Sequence, residues 1–163
     1  MAQGSAWSYD VDTGDGAKVL AIARVTEATA ERATIQGGEG ATHYELRPDG
    51  IFRQERGGYL LKPPFREGAQ WESGNGMQAK ITRLGVAIET PAGRFAGCVE
   101  VTEQGSANGA VINTTYCPDI GPVQVISSMQ LTLGQQTVQV VAKLRGYRIG
   151  PEPPTPPSQP AEP

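Results

Sequence analysis

The sequence predicts an all-β fold: an antiparallel meander of about ten strands, curled into a half-barrel or β-clam. Three observations predict it. Segments in which apolar and polar residues alternate follow one another along most of the chain. Short clusters rich in Gly, Pro, Asn and Asp separate these segments, and no long segment shows a helical period. Because each strand has one polar and one apolar face, the sheet buries its apolar side best by curling on itself.

The N-terminal half predicts short strands joined by tight turns. Residues 12–16 form the turn after the first strand, and Pro48-Asp49-Gly50 has the composition of a type I turn. Residues 28–31 interrupt the second strand, and residues 28–33 could form one helical turn at most. The predicted strands of this half are residues 6–11, 18–26, 33–36, 42–47, 51–56 and 59–62.

The C-terminal half predicts longer strands. A crossing loop over residues 63–68 leads into Trp71, and the strand after it places Leu84, Val86 and Ile88 on one face. The turn Gly134-Gln135-Gln136 separates two further strands whose apolar and polar residues alternate. The predicted strands of this half are residues 77–89, the two arms of the hairpin that joins the cysteines, 123–133 and 137–145.

The cysteine hairpin has a preferred register. With Cys98 opposite Cys117, the strands pair as Val99 with Tyr116, Glu100 with Thr115, Val101 with Thr114, and Thr102 with Asn113. This register places Val99, Val101 and Tyr116 on one face and Glu100, Thr102, Asn113 and Thr115 on the other, whereas a slip of one residue mixes the two sets. The arms meet at the loop Ser106-Ala107-Asn108-Gly109, where Asn-Gly accepts positive φ most easily.

Cys98 and Cys117 are the only cysteines of the chain. Opposed cysteines on neighbouring strands are close enough to form a disulfide, which would indicate an oxidising compartment. The alternative is a pair of buried free thiols in a cytosolic protein. A metal site that combines both cysteines with His43 lacks a fourth ligand and any CxxC spacing, so we expect no metal there.

Length and composition predict one domain and a tail. The chain has 163 residues and a net charge of −3. Residues 4–149 suffice for one β domain with its own core. Residues 150–163 are rich in proline and are expected to form a solvated, disordered tail, which could serve as a spacer or as a proline-motif ligand.

Several classes of function are disfavoured by composition. No apolar stretch is long enough to span a membrane, and the dispersed basic residues form no stripe for nucleic acid. No signal peptide is visible at the N-terminus, so the protein is either cytosolic or has lost its signal. The cysteine pair favours the second interpretation, with the protein in the periplasm, at the outer-membrane surface or secreted.

Three segments together resemble a group of bacterial envelope lipoproteins and periplasmic proteins of unknown function. The group carries a Trp after a Pro…Gly loop, then V-x-T-P-A-G-x-F-x-x-C, then a hairpin and T-Y-Y-A-P-G-V-G-x-V. Its matches here are residues 63–71, 87–98 and 114–123. The group is similar to clam-like lipoprotein carriers, which implies a curved sheet with an apolar concave face. Cys117 stands where that pattern has a small residue, which supports pairing with Cys98; the resemblance brings no catalytic residue.

Other candidates for chemistry have a simpler structural interpretation. Asp10, Asp12 and Asp15 resemble a calcium loop, but the spacing departs from the EF-hand pattern, and a hairpin turn is the better interpretation. His43, the only histidine, lies in an alternating strand with no nucleophile in an elbow-like context, and is expected at the surface. Single carboxylates are scattered along the chain and form no recognisable catalytic pair: Glu45, Glu55, Glu67, Glu89 and Glu100.

The sequence therefore favours a non-enzymatic, secreted or lipid-anchored envelope protein without a cofactor. We expect it to bind an apolar small molecule, a lipid or a partner protein on its curved sheet. The candidate contacts are aromatic: Trp7, Phe52, Tyr59, Phe65 and Trp71. The alternatives are an assembly subunit that uses a sheet edge or outer face, and a glycan hydrolase with paired carboxylates. The ligand, the partner and the oligomeric state do not follow from the sequence.

Overall fold

The computed structural model describes residues 1–38, 40–105, 109–130 and 137–151, which form twelve β-strands. This confirms the all-β prediction. There is no helix in these ranges, and so none that is long and apolar enough to cross a membrane. The strands are β1 (Ala6–Asp12), β2 (Lys18–Ala28), β3 (Arg32–Gly37), β4 (Gly40–Arg47), β5 (Gly50–Arg53), β6 (Gly58–Leu61), β7 (Gln70–Gly74), β8 (Met77–Thr90), β9 (Gly93–Gly105), β10 (Val111–Cys117), β11 (Gly121–Gln130) and β12 (Thr137–Arg148).

All strands belong to one antiparallel sheet in the order β6-β5-β4-β3-β2-β1-β12-β11-β10-β9-β8-β7. Strands that are consecutive in sequence pair with each other, except β6 and β7, and the first strand pairs with the last. The two ends of the sheet are consequently β6 and β7, in the middle of the chain. They lie side by side without a strand ladder between them, so the sheet is a nearly closed, barrel-like structure with one seam. The predicted curling is confirmed and goes further than a half-barrel.

The cysteine hairpin has the predicted register. Tyr116 pairs with Val99, Thr115 with Glu100, Thr114 with Val101, and Asn113 with Thr102. Cys98 and Cys117 form the disulfide, with their Cα atoms 4.2 Å apart. Gly109 has the expected positive φ of 60°, while residues 106–108 of the predicted loop lie outside the described ranges.

The core consists of two clusters. The disulfide cluster contains Trp7, Tyr9, Val25, Cys98, Cys117, Val123 and Leu144. The Ile81 cluster contains Trp71, Ala79, Ile81 and Val101, and Val99 and Tyr116 pack against it, as the predicted face requires. Packed side chains thus fill the inside of the sheet in the part of the chain that the structure describes.

Irregular pairing changes some predicted faces. A register shift between Arg83 and Val86 inserts an extra residue in β8, and Gly85 takes a φ of 66° there. Val86 therefore packs on the disulfide cluster together with Ile88, whereas Leu84 is 38% exposed and does not share their face.

Some predicted segments differ or lie outside the described ranges. Residues 70–74 form β7, a strand that the sequence did not predict, and residues 30 and 31 form a bend between β2 and β3 rather than a helical turn. The predicted strand end at 131–133, the turn at 134–136 and the tail from residue 152 lie outside the described ranges.

The tip of the β8–β9 hairpin docks on the last strand. Pairing between β11 and β12 begins at Gln124 and Lys143, so the backbone of β12 beyond Lys143 has no β11 partner. Ala92 N–H, at the hairpin tip, donates to Leu144 O over 3.0 Å in that position. This contact places Pro91 next to the surface formed by β12 and β1.

Candidate functional site

An open groove of about 810 Å³ lies on strands β12, β1 and β2, with Pro91 at its rim. Its position depends on the pairing of the first and last strands. Side chains from all three strands line it, among them Asp10, Asp12, Lys18, Leu20, Val141 and Lys143.

The strand register places most of the groove lining on the outer face of the sheet, whereas Val11 and Val19, which also line it, belong to the opposite face. Tyr9 pairs with Leu144 in the disulfide cluster, and Val11 pairs with Ala142, both of which pack against it. Successive side chains of a strand point to opposite faces. The intervening pairs, Asp10 with Lys143 and Asp12 with Val141, therefore point away from the core, as do their β2 partners Leu20 and Lys18.

The charges of the groove are only partly paired. Arg145 Nη1 lies 3.1 Å from Asp10 Oδ1. Asp12 Oδ1 accepts a hydrogen bond from Gly14 N–H over 2.9 Å. Lys18 and Lys143 form no ion pair with any residue that the structure describes. Two ammonium groups are thus available beside the aliphatic side chains of Leu20 and Val141.

The apolar residues next to the groove are unusually exposed for a β-strand. Val19, Leu20 and Ile22 of β2 are 52%, 56% and 43% exposed. Leu20 and Ile22 lie on the groove face of β2, whereas Val19 lies on the opposite face. Exposed apolar side chains beside a groove are typical of an interaction site.

The aromatic residues predicted to contact a ligand do not lie together. Trp7 belongs to the disulfide cluster, where its Nε1–H donates to Ile120 O over 2.7 Å, and Phe65 is 53% exposed in the loop before β7. Phe52, Tyr59 and Trp71 do gather near the seam. The Phe52 and Tyr59 rings meet edge to face at 5.3 Å, and Tyr59 packs on the cluster that contains Trp71. None of the five lines the groove.

The seam between β6 and β7 is bridged by both side-chain and backbone hydrogen bonds. Trp71 Nε1–H donates to Tyr59 O over 3.0 Å, and Asn75 N–H donates to Arg56 O over 3.1 Å. Gly58 makes close approach possible, because a Cβ placed there would lie 2.1 Å from the backbone N of Gly74. These contacts hold the two ends of the sheet together without a ladder.

Several polar groups are buried behind the seam. Arg53 Nη2 donates to Ser73 O over 2.9 Å and forms a 2.5 Å ion pair with Glu103 Oε1. Burial raises the pKa of the Tyr116 phenol, and the nearby Glu103 charge adds to the shift. Burial also raises the pKa of Tyr9, whose hydroxyl donates to Pro122 O over 2.9 Å. These groups are enclosed by the fold and have a structural role in joining distant strands.

His43 lies at the surface, as predicted. Its side chain is 53% exposed, and Nδ1 is 2.5 Å from Glu55 Oε1. In the described ranges no group of three or more His, Cys, Asp or Glu side chains is placed to hold a metal ion. The three aspartates of the supposed calcium loop are directed to different partners: Asp10 to Arg145, Asp12 to Gly14, and Asp15 to Thr13 and Ala17.

Comparison with protein-family models, curated proteins and solved structures gives no significant match. The resemblance to bacterial envelope proteins therefore stays a prediction. The class that the fold and the groove define is a single-sheet, barrel-like β protein with a filled interior and an open, partly charged groove on its outside.

The groove residues are not among the site residues predicted from the sequence. Their alternation in β1, β2 and β12 is visible, and it predicts that Asp10, Leu20 and Lys143 lie on polar or mixed faces. Nothing in the sequence shows that the first strand pairs with the last, and that pairing is what brings these side chains into one groove.

Proposed function

We propose that this protein is a non-enzymatic binding protein of an oxidising, extracytoplasmic compartment, and that it binds an amphiphilic, anionic molecule in the groove. The observation that carries the proposal is that one open groove combines aliphatic side chains with two ammonium groups that form no ion pair with a described residue. An apolar chain would cover Leu20 and Val141. An acidic head group would pair with Lys143 or Lys18.

The filled interior supports this choice of surface. A clam-like carrier would take an apolar ligand inside its sheet, but here the disulfide and Ile81 clusters occupy that space. Val25, Ile81, Val101, Val123 and Leu144 are at most 2% exposed. A ligand of this protein is therefore expected on the outer face.

The compartment is supported by the disulfide. Cys98 is fully buried and Cys117 is 6% exposed, and they are joined to each other. Disulfides of this structural kind persist outside the cytosol and are rare within it. The compartment and the binding role are proposed together, because an envelope protein meets amphiphiles at the membrane surface.

Calorimetric titration with two amphiphiles of equal chain length tests the proposal. Dodecanoate carries an anionic head group, and dodecyltrimethylammonium carries a cationic one; both are used below the concentration at which they form micelles. We expect dodecanoate to bind and the cationic amphiphile to bind at least tenfold more weakly. Equal affinity for the two would show that the ammonium groups do not select the ligand.

A pair of charge-reversal variants locates the site. Lys143→Glu places a carboxylate in the groove and is expected to weaken dodecanoate binding at least tenfold. Lys80→Glu makes the same charge change on β8, outside the groove lining, and is expected to leave binding unchanged. If both variants bind as the parent does, dodecanoate is bound elsewhere and the groove is not the site.

A further inference from the structure

One end of β2 forms an unpaired edge within the sheet. β1 pairs with β2 along residues 18–24, but β3 pairs with β2 only from Ala23 to Ala28. In the part of the chain that the structure describes, residues 18–22 therefore have a strand neighbour on one side only, and all five side chains are exposed. We call this segment the open edge. β2 lies in the middle of the sheet order, between β3 and β1, whereas the ends of the sheet are β6 and β7. The open edge is therefore separate from the seam.

The direction of the backbone groups on the open edge follows from bonds at both ends of β2. Val25 N–H donates to Ser5 O over 2.8 Å, and Thr13 N–H donates to Ala17 O over 3.2 Å. The backbone N–H and C=O groups of the odd-numbered residues of β2 therefore point toward β1. Backbone groups alternate along a strand. Lys18 and Leu20 therefore direct their N–H and C=O groups away from β1, where no described residue pairs with them.

The side chains of the open edge define what could pair with it. Leu20 and Ile22 lie on the groove face of β2, exposed by 56% and 43%, and Lys18 lies on the same face without an ion-pair partner in the described ranges. On the other face are Val19 and the small Ala21. The edge thus offers two donors, two acceptors, two aliphatic surfaces and one cation within about 17 Å, the length of five extended residues.

We propose that the open edge is a docking site for an extended segment of a partner protein, which adds to β2 as an antiparallel strand. The partner segment has aliphatic residues opposite Leu20 and Ile22 and an acidic residue opposite Lys18. Its backbone bonds the free groups of Lys18 and Leu20. The β3–β4 turn between Gly37 and Gly40 marks one end of the site, so the segment spans about five residues.

Charge favours such a partner over a second copy of this chain. Two copies paired symmetrically about Leu20 would place Lys18 of each against Ile22 of the other, a cation against an aliphatic side chain. Neither lysine would gain a partner. An acidic residue in a foreign strand satisfies Lys18 and keeps the aliphatic pairs. This inference goes beyond the groove ligand, since it concerns the backbone edge and a polypeptide.

A seven-residue peptide, Ser-Val-Thr-Val-Thr-Glu-Ser, provides the probe. It is titrated into the full chain and followed by amide chemical shifts and hydrogen exchange. We expect saturable binding in which the Lys18 and Leu20 amides exchange at least tenfold more slowly than in the free protein. Saturable binding without protection of these two amides, or no binding, would overturn the proposal.

Two variants separate backbone pairing from charge. Leu20→Pro removes an N–H that has no partner in the free protein, so the fold is expected to persist while peptide binding falls at least tenfold. Lys18→Glu is expected to lower the affinity for this peptide tenfold and to raise the affinity for the peptide in which Lys replaces Glu. This charge exchange tests the site independently if Leu20→Pro does not fold.

The remaining outcomes distinguish this inference from the groove ligand. Lys143 lies outside the open edge. Lys143→Glu is therefore expected to leave peptide binding unchanged while it weakens the binding of dodecanoate. Loss of peptide binding in Lys143→Glu would place the peptide in the groove instead of on the edge. Dimerisation of the protein alone, with protection of the Leu20 amide, would identify a second copy as the occupant and overturn the proposal.

Discussion

Arg53 and Glu103 form a buried ion pair of 2.5 Å across the inside of the sheet, although they are 50 positions apart in sequence. Arg53 also donates to Ser73 O on the far side of the seam. One guanidinium therefore ties β5 to both β7 and β9. Side-chain exposure of 8% for Arg53 and 5% for Glu103 places the pair out of reach of bulk water.

Removing one partner of this pair should be costly. Arg53→Met leaves the Glu103 carboxylate buried without its counter-ion, which typically costs about 3–5 kcal/mol. We expect a loss of that size in the free energy of unfolding, measured in urea. The double variant Arg53→Met/Glu103→Leu should recover most of it, since no uncompensated charge is left. A double variant no more stable than the single one would contradict this.

The Trp71–Tyr59 bond should hold the seam locally. Trp71→Phe keeps an aromatic ring but loses the Nε1–H donor to Tyr59 O, at a cost of about 1 kcal/mol. We expect hydrogen exchange in β6 and β7 to become faster. Trp7→Phe is the matched control, because it loses an equivalent bond to Ile120 O away from the seam. Faster exchange at the seam in both variants would mean that the effect is global.

The close approach at the seam predicts that Gly58 cannot be replaced. An alanine Cβ there would collide with the backbone of Ser73 and Gly74, which cannot move without opening the seam. Gly58→Ala is expected to cost about 3 kcal/mol or to prevent folding. Gly40→Ala, where a Cβ meets nothing within 4 Å, should be nearly neutral. Equal stability of the two variants, measured by thermal unfolding, would argue against the contact.

The disulfide should add stability without setting the register. It closes a loop with a sequence separation of 19, for which chain entropy gives about 3 kcal/mol. The reduced protein is expected to unfold at correspondingly lower urea concentration. It should keep the same Val99–Tyr116 pairing, as cross-strand nuclear Overhauser effects would show. A changed register after reduction would mean that the covalent bond imposes the pairing.

Alkaline pH should unfold this protein. Burial raises the pKa of Tyr9, Tyr44 and Tyr116 above the value of about 10 in an unfolded chain. Above pH of about 10 the unfolded state releases protons that the folded state retains, so stability is fully present below that pH and falls above it. Phenolate absorbance of the buried tyrosines should appear together with unfolding.

A variant tests the alkaline effect directly. Tyr116→Phe removes one of the three groups and should reduce the loss of stability by up to about 1.4 kcal/mol per pH unit above pH 10. The measurement is urea unfolding at a series of pH values. An unchanged slope would show that Tyr116 already ionises in the folded protein.

How far the sequence predicts the fold can be judged from particular residues. The cysteine hairpin was predicted pair by pair, because side chains alternate along a strand and only one register separates Val99, Val101 and Tyr116 from their polar neighbours. The extra residue near Gly85 was not predicted, since a bulge changes the face of Leu84 without changing the local composition.

The candidate sites were not predictable in the same way. The five aromatic residues were chosen for their residue type, but the structure places Trp7 and Trp71 in different clusters. Lys18, Leu20 and Lys143 looked like ordinary surface residues of separate strands. One signal in the sequence does point to β2: residues 19–23 are all apolar, whereas a strand with one face in water normally alternates apolar and polar residues.

The sequence by itself determined the all-β class, most of the strands and the register that places Cys98 opposite Cys117, because these depend on alternation and turns within a few tens of residues. Only the tertiary structure decided that β1 pairs with β12, that the seam falls between β6 and β7, and that residues 18–22 have one strand neighbour among the described residues. Those features depend on the curvature and bulges of the whole sheet. They are set by the summed packing of all strands, which no local pattern of residues contains.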